Sequence, residues 1–430
     1  MVLIQPFRGL RYNPREVANL ASVMSLPYDV LTEKDRDELY QADPHNIVRL
    51  IWGKDLPGDG SQENKYTRAA RLLREWEEEG ILIRDEQEAF YLYTQDFTLG
   101  KGEVKTRRGI IARVRLQDLD SGAILRHEET FSEQKADRLN LIRATQANLD
   151  PIFALYQRER GGIGEIMDRS MREFPLLDIR DRWGVRHRLW AIKDPGNHRV
   201  ILSEIEACPL FIADGHHRYE AALQYKQEMM RREVGTAGRD AGYHYAMMML
   251  IEMRDPGLLI LPVHRLIRGT RGWNLEEFLE QARAHFSMEE VKLPWKEEER
   301  EAFVTEHLEK RGASAHCFGV YAGGGSLFFL TLPKSQAHLR LDVAILDELI
   351  LQRVLGLQGA EKEGKVGYLS HTLEALQQVE RGSYDLAILL KPASLGEVKS
   401  ISLAGEKMPQ KSTYFYPKLL SGLVIQRLDI

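Results

Sequence analysis

A chain of 430 residues is too long for one ordinary hydrophobic core, so two or three lobes are expected. Its 43% apolar and 29% charged residues exclude disordered and fibrous classes. A net charge of -5 and a pI near 6.3 give no general basis for holding nucleic acid.

The chain opens on "MVLIQPFRGLRYNP", whose apolar start is short and carries no small-residue cleavage pattern, so a signal peptide is not expected. Turn signals then follow closely: "YNP", "LPYDV", "ADPHN" and the loop "DLPGDG". From Ser61, "SQENKYTRAARLLREWEEEG" has a cap residue, helical apolar spacing and a closing Gly80, which predicts a helix. "AFYLYTQDFTL" and "VKTRRGIIARVRL" predict two strands joined through the turn "GKGE". "EQKADRLNLIRATQANL" predicts an amphipathic helix, and "PIFALY" a short buried strand. A helix near 162–174, the strand "VRHRLWAI" and a helix near 196–207 come next. They lead to the strand-helix joint "FIADGHHRYEAAL".

"YHYAMMMLIEM" and "LLILPVHRLI" predict apolar strands, the methionines serving as core. Beyond Gly269 the pattern shifts to the charged helices "WNLEEFLEQARAHF" and "KEEEREAFVTEHLEKRG". A hairpin closing on "GGG", an apolar helix "DVAILDELILQRVLGL" and a strand "YDLAILLK" complete it. The interleaving predicts an α/β or α+β core over 1–269 and an α+β lobe over 270–430. No apolar run approaches the roughly 18 residues of a membrane span. Cys208 and Cys317 stand alone, without CxxC spacing, which argues against disulfides and structural zinc and fits a reducing cytoplasm.

Four mostly ionisable groups crowd the joint at 211–223: Asp214, His216, His217 and Arg218, around Gly215. A glycine turning tightly into a helix presents unpaired N–H groups and a partial positive charge, which suits phosphate. Arg218 adds a bidentate donor. Asp214 is either a helix cap or a ligand for Mg2+ bridging phosphate oxygens. The plainer alternative is a capped helix with packed histidines. Zinc is disfavoured, because adjacent residues diverge by about 100° on a helix and the i, i+4 spacing is missing.

His127 and Glu128 end a strand ahead of the amphipathic helix, where a carboxylate suits a general base; Lys135, Asp137 and Arg138 cluster just after. The alternative there is a solvated, charge-rich turn. "GEKMPQKST" is a near miss to the nucleotide loop GxxxxGK-S/T, with Gln410 where the second glycine is needed, so that loop is rejected. Lys411, Ser412, Thr413 and Lys418 remain there as a cluster, either a surface loop or a contribution to a site. Asp29, Asn46 and Arg49 read as turn residues, and "KTRRG" as the solvated end of a hairpin.

"ADGHHRYEAA" resembles the glycine-plus-arginine motif of the ParB/sulfiredoxin-like fold, which in those families binds nucleotide phosphates. The chain is similar to the bacterial domain-of-unknown-function ten-fifteen family. The blocks that carry this are "PFRGLRYNP", "LPYDV", "PHNIVRL", "TRRGIIARV", "HEE", "KADRL", "PIFALY", "IADGHHRYE", "LPVHRL" and "MPQKSTYFYPKL". It also resembles the smaller free serine kinases of that fold. They carry a His-Glu pair, a helix, a "PI" strand and "DGHHR" in the order found here at His127-Glu128, 135–149, Pro151-Ile152 and 214–218.

The resemblance implies a kinase that moves a phosphoryl group from ATP or ADP, with Mg2+, to L-serine or a related hydroxyl metabolite. It implies Glu128 as base, with Asp214, Gly215, His216, His217 and Arg218 around phosphates and metal. His127, Asp29, Arg138, Lys411 and Ser412 stand as supporting residues. The roughly fifty residues between "PIFALY" and "FIADGHHR" depart from the small kinases and are expected to reshape the acceptor pocket. Rival readings are a ParB-like nucleotide-binding regulator associated with DNA, and a metal-dependent phosphoesterase or nuclease.

Overall fold

The computed structural model describes residues 1–428 except 100–101, 131, 159–160, 233–240, 270–273, 338–340 and 363. The turn expected at Gly100 and Lys101 therefore lies outside the described residues. The chain forms two compact units, one of Met1–Leu258 together with the segment from Pro417 onward, the other of Leu259–Tyr416. This division falls ahead of the composition shift at Gly269, and the final segment returns to the first unit. The fold is mixed α/β, of the α+β kind.

The first unit is built on a nine-stranded mixed sheet. In chain order its elements are β1 (Ile4–Gln5), helix α1 (Lys65–Glu78), β2 (Phe90–Leu99), β3 (Glu103–Arg115), β4 (Ile124–Leu125), helix α2 (Ser132–Thr145) and β5 (Ile152–Tyr156). Then follow α3 (Ile163–Ser170), β6 (Leu177–Arg180), β7 (Arg186–Ile192), α4 (Pro195–Ile205), β8 (Leu210–Asp214), α5 (His216–Arg232) and β9 (Tyr245–Glu252). The strand order is β4-β8-β5-β9-β3-β2-β7-β6, with β1 also on β3. β8 runs parallel to β4 and antiparallel to β5. The methionines 247–249 are fully buried in β9, as their apolar run requires.

α1 starts later than Ser61 suggests. Asn64 is the cap, its side chain accepting from the amides of Tyr66 and Thr67, because Asn caps a helix at least as well as Ser. Two strands of the roughly fifty-residue insertion, β6 and β7, add to the sheet at the edge opposite β4 and β8. Those strands widen the sheet at the edge remote from the strand-helix joint. Helix α5 packs on α2 and covers the sheet's core of Ile152, Ala154, Ile212, Tyr219 and their neighbours.

The second unit holds a six-stranded antiparallel sheet with helices Leu275–Ala282, Glu297–Gly312 and Thr372–Glu380. The expected hairpin pairs Ala315–Tyr321 with Ser326–Pro333. Gly323, Gly324 and Gly325 in its turn adopt positive φ of 87°, 69° and 74°. "LLILPVHRLI" splits into two strands at the proline. The first, Leu259–Leu261, pairs antiparallel with Tyr414–Tyr416, so the segments that leave and rejoin the first unit lie side by side. Among the described residues no helix is long and apolar enough to cross a membrane.

Candidate functional site

The site forms where β8 ends. The β8–β5 register shifts between Ile212 and Asp214, an irregularity that re-aims the Asp214 side chain. Gly215 follows at φ +89°, a left-handed conformation that residues with a Cβ rarely adopt. A Cβ there would stand 2.9 Å from Arg218 Nε and Nη2. The glycine thus serves both the turn and the close approach of the guanidinium. Its carbonyl accepts the Tyr219 amide at 3.0 Å and so opens the first turn of α5.

Asp214 sits between two cations. Arg218 Nη2 donates to its Oδ2 at 2.8 Å, and Lys418 Nζ donates to its Oδ1. Burial opposes ionisation of this carboxyl, but Lys418 and Arg218 overcome it and hold the group far below the usual carboxylate range. Arg218 also donates to the Pro151 carbonyl at 2.7 Å. Burial works against its charge, and Asp214, Asp150 and Asp29 more than restore it. Two cations, Arg218 and Lys418, share the Asp214 carboxylate.

Lys418 is held there by a buried network. Arg107, fully buried, donates to Gln95 Oε1 and to the Pro417 carbonyl, and its guanidinium lies 4.9 Å from the Phe153 ring. Gln95 Nε2 donates to the Lys418 carbonyl at 2.8 Å. This overturns the solvated reading of "KTRRG" at Arg107, which faces inward on β3, whereas its neighbour Arg108 reaches solvent and pairs with Asp168. Strand alternation puts adjacent arginines on opposite faces.

His127 follows β4 and is fully buried, its Nδ1–H donating to the Ile212 carbonyl at 2.9 Å. Its ring packs edge-on against His216, centroids 4.8 Å apart. Burial pushes His127 down to about 4, and burial with the neighbouring His127 pushes His216 well below its ordinary value. Both rings are therefore neutral near pH 7. Among the described residues His216 Nε2 is buried without a hydrogen-bond partner. Glu128 comes directly after His127 and is half-buried. Because β4 and β8 are parallel, the His127–Glu128 and Asp214–Gly215 segments leave the sheet at the same end. His217 is half-buried in the first turn of α5.

The remaining sequence candidates separate. Arg138 is buried, donating to the Ile51 carbonyl at 2.8 Å and to Asp137, with its guanidinium 3.8 Å from the Tyr28 ring. Asp29 is exposed and acts electrostatically on Arg218. Asn46 is a structural pin, its amide donating to the Ser22 and Met24 carbonyls. Arg49 stacks on Tyr40. Lys411 and Ser412 belong to the second unit, where Lys411 is exposed and the Ser412 hydroxyl donates to Pro409. Lys418, from the same motif, belongs to the first unit and completes the site.

Asp214 does not fit the Mg2+ ligand expected of it, since each carboxylate oxygen already accepts from a cation. Among the described residues no group of three or more His, Cys, Asp or Glu is placed to hold a metal ion. The neutralising charge at this joint comes from Arg218 and Lys418.

Comparison with known proteins gives a family match over residues 4–349 to "Protein of unknown function (DUF1015)". No curated protein matches. Similar solved structures include a free serine kinase in complex with AMP, 15% identical with TM-score 0.34, covering 74% of this chain and 90% of that one. A conserved hypothetical protein from Pyrococcus furiosus is 14% identical with TM-score 0.35, covering 76% and 98%. SbnI with C-terminal truncation from Staphylococcus aureus is 13% identical with TM-score 0.36, covering 73% and 86%.

Proposed function

Because this chain belongs to the family described as protein of unknown function DUF1015, its activity rests on the site's own chemistry, and we propose a nucleotide-dependent phosphotransferase acting on a small hydroxyl metabolite. The observation that carries this reading is the pairing of Arg218 and Lys418 on one buried carboxylate at the N-terminus of α5. Phosphoryl transfer asks for positioned charge more than for covalent help from the protein. The N-terminus of α5, with the two cations, forms the proposed seat for the terminal phosphates of ATP or ADP.

In the proposed reaction Glu128 takes the proton of the acceptor hydroxyl. The oxygen attacks the terminal phosphorus, and the bond to the bridging oxygen breaks. The electron pair goes to the departing nucleotide, whose growing charge Arg218 and Lys418 neutralise. Asp214 keeps both cations aimed at the seat when no phosphate is present. His127 fixes the backbone at Ile212 and so holds the strand end from which Asp214 projects. The neutral His216 contributes a hydrogen bond at Nε2 rather than charge.

The test incubates the protein with ATP or ADP and a panel of hydroxylated metabolites that includes L-serine, with phosphorus NMR as readout. Transfer is expected from the native protein. Glu128→Gln should lower it by about 10²- to 10⁴-fold, the usual share of a general base. Lys418→Met should weaken nucleotide binding, seen as a smaller nucleotide-induced rise in Tm. Absence of both transfer and nucleotide stabilisation would overturn the proposal.

A further inference from the structure

The sheet of the first unit ends on β6, which pairs with β7 on one side and with no strand on the other among the described residues. In the β6–β7 register Arg180 lies opposite Arg186, and Ile179 opposite His187. The Asp181 amide donates to the Val185 carbonyl at 2.9 Å, one step along the same register. Antiparallel ladders alternate, so Leu177 and Ile179 also turn their backbone groups to β7, while Asp178 and Arg180 turn theirs outward. Both of these residues are exposed. Large apolar side chains flank the edge at either end. Phe174, just ahead of β6, is 100% exposed, and Trp183, just after it, is 45% exposed. The turn that carries Trp183 is pinned from within. Asp181 Oδ1 accepts the amides of Trp183 and Val185 at 2.9 Å, and its Oδ2 meets His187 Nε2 at 3.0 Å.

A short, charged edge strand ordinarily discourages pairing with another chain. Here the charges are of opposite sign two residues apart, which makes the edge complementary to itself. Only Asp178 and Arg180 offer outward backbone groups, so two antiparallel copies have three hydrogen-bonded registers open to them. Asp178 on Asp178 and Arg180 on Arg180 set like charges directly opposite, which is destabilising. Asp178 on Arg180 gives two opposite-charge pairs related by a two-fold axis, with Ile179 meeting Ile179 on the axis. In that register the approach to each strand at Phe174 runs beside the Trp183 turn of the second copy. Both exposed rings then gain an apolar neighbour.

We propose that β6 is the interface of a homodimer, in which two copies of the chain join their sheets antiparallel with Asp178 of each strand opposite Arg180 of the other. The segment between β5 and β8 thereby has a role in assembly. The interface lies at the sheet edge opposite β4 and β8, so it leaves the strand-helix joint open. This inference is independent of the phosphotransferase reading and stands or falls without it.

The test is sedimentation velocity of the full chain over a concentration series reaching about 100 μM. The native protein should show a monomer–dimer equilibrium. Arg180→Glu sets carboxylates against each other at both pairs, and Asp178→Lys sets cations against each other. Each variant alone should therefore raise the dimer Kd about 10-fold or more. Mixed one to one, the two variants restore opposite charges at both positions, and the dimer should return. Misfolded chains would not recover in this way. A native protein that stays monomeric throughout overturns the inference. So does a native dimer that both variants leave intact, which would place the interface elsewhere. Failure of the mixed variants to associate more tightly than either alone overturns it as well.

Discussion

The edge-packed histidines make the first unit sensitive to mild acid, and the size of the effect follows from the site. His127 is fully buried and titrates near 4, against 6.5 in an unfolded chain. Between these values the unfolded chain takes up a proton that the native ring refuses, so stability falls as pH drops from 6.5 toward 4. From pH 7 to pH 5 the loss is about 2 kcal/mol for this one ring, at about 1.36 kcal/mol per unit. His216, depressed still further, pulls the same way, and Asp214 resists only by favouring the charged ring. Asp150, raised by burial despite Arg218, acts in the opposite sense, its native form holding a proton that the unfolded chain releases.

Hydrogen exchange of the β8 and α5 amides, corrected for intrinsic rates, reports the stability of this unit at each pH. His127→Asn keeps a donor for the Ile212 carbonyl but does not titrate. It should show about 2 kcal/mol less destabilisation between pH 7 and pH 5 than the native chain. The same pH dependence in both proteins would refute the assignment of acid sensitivity to this ring.

Other outcomes are equally specific. Gly215→Ala should cost about 1–2 kcal/mol in urea unfolding, from left-handed strain, and should abolish the nucleotide-induced Tm rise because its Cβ displaces the Arg218 guanidinium. Arg107→Met leaves Gln95 and the Pro417 carbonyl buried without their cation. About 2–4 kcal/mol should be lost in urea unfolding, with weaker nucleotide binding as Lys418 loosens; unchanged binding would detach Lys418 from the seat.

The elements of the site are legible in the sequence because their signals are local. A strand, a glycine and a helix start within "FIADGHHRYEAAL" mark the proposed phosphate seat, and "VKTRRGIIARVRL" declares a strand by its composition. What local pattern misses is pairing at a distance. Arg107 reads as solvated because nothing near it in sequence shows the Pro417 carbonyl that it holds. Lys418 sits in a motif with Lys411 and Ser412, and only the fold assigns it to a different unit from theirs.

The path of the chain also sets an order of events during synthesis. Asp214 and Arg218 emerge from the ribosome long before Lys418, and the whole of the second unit is made in between. The nascent first unit therefore carries its buried carboxylate with one cation instead of two until that insertion is complete. The strand Ala147–Asn148 likewise waits for its partner Gln426–Arg427. Completion of the proposed phosphate seat thus waits until the segment from Pro417 onward has been made.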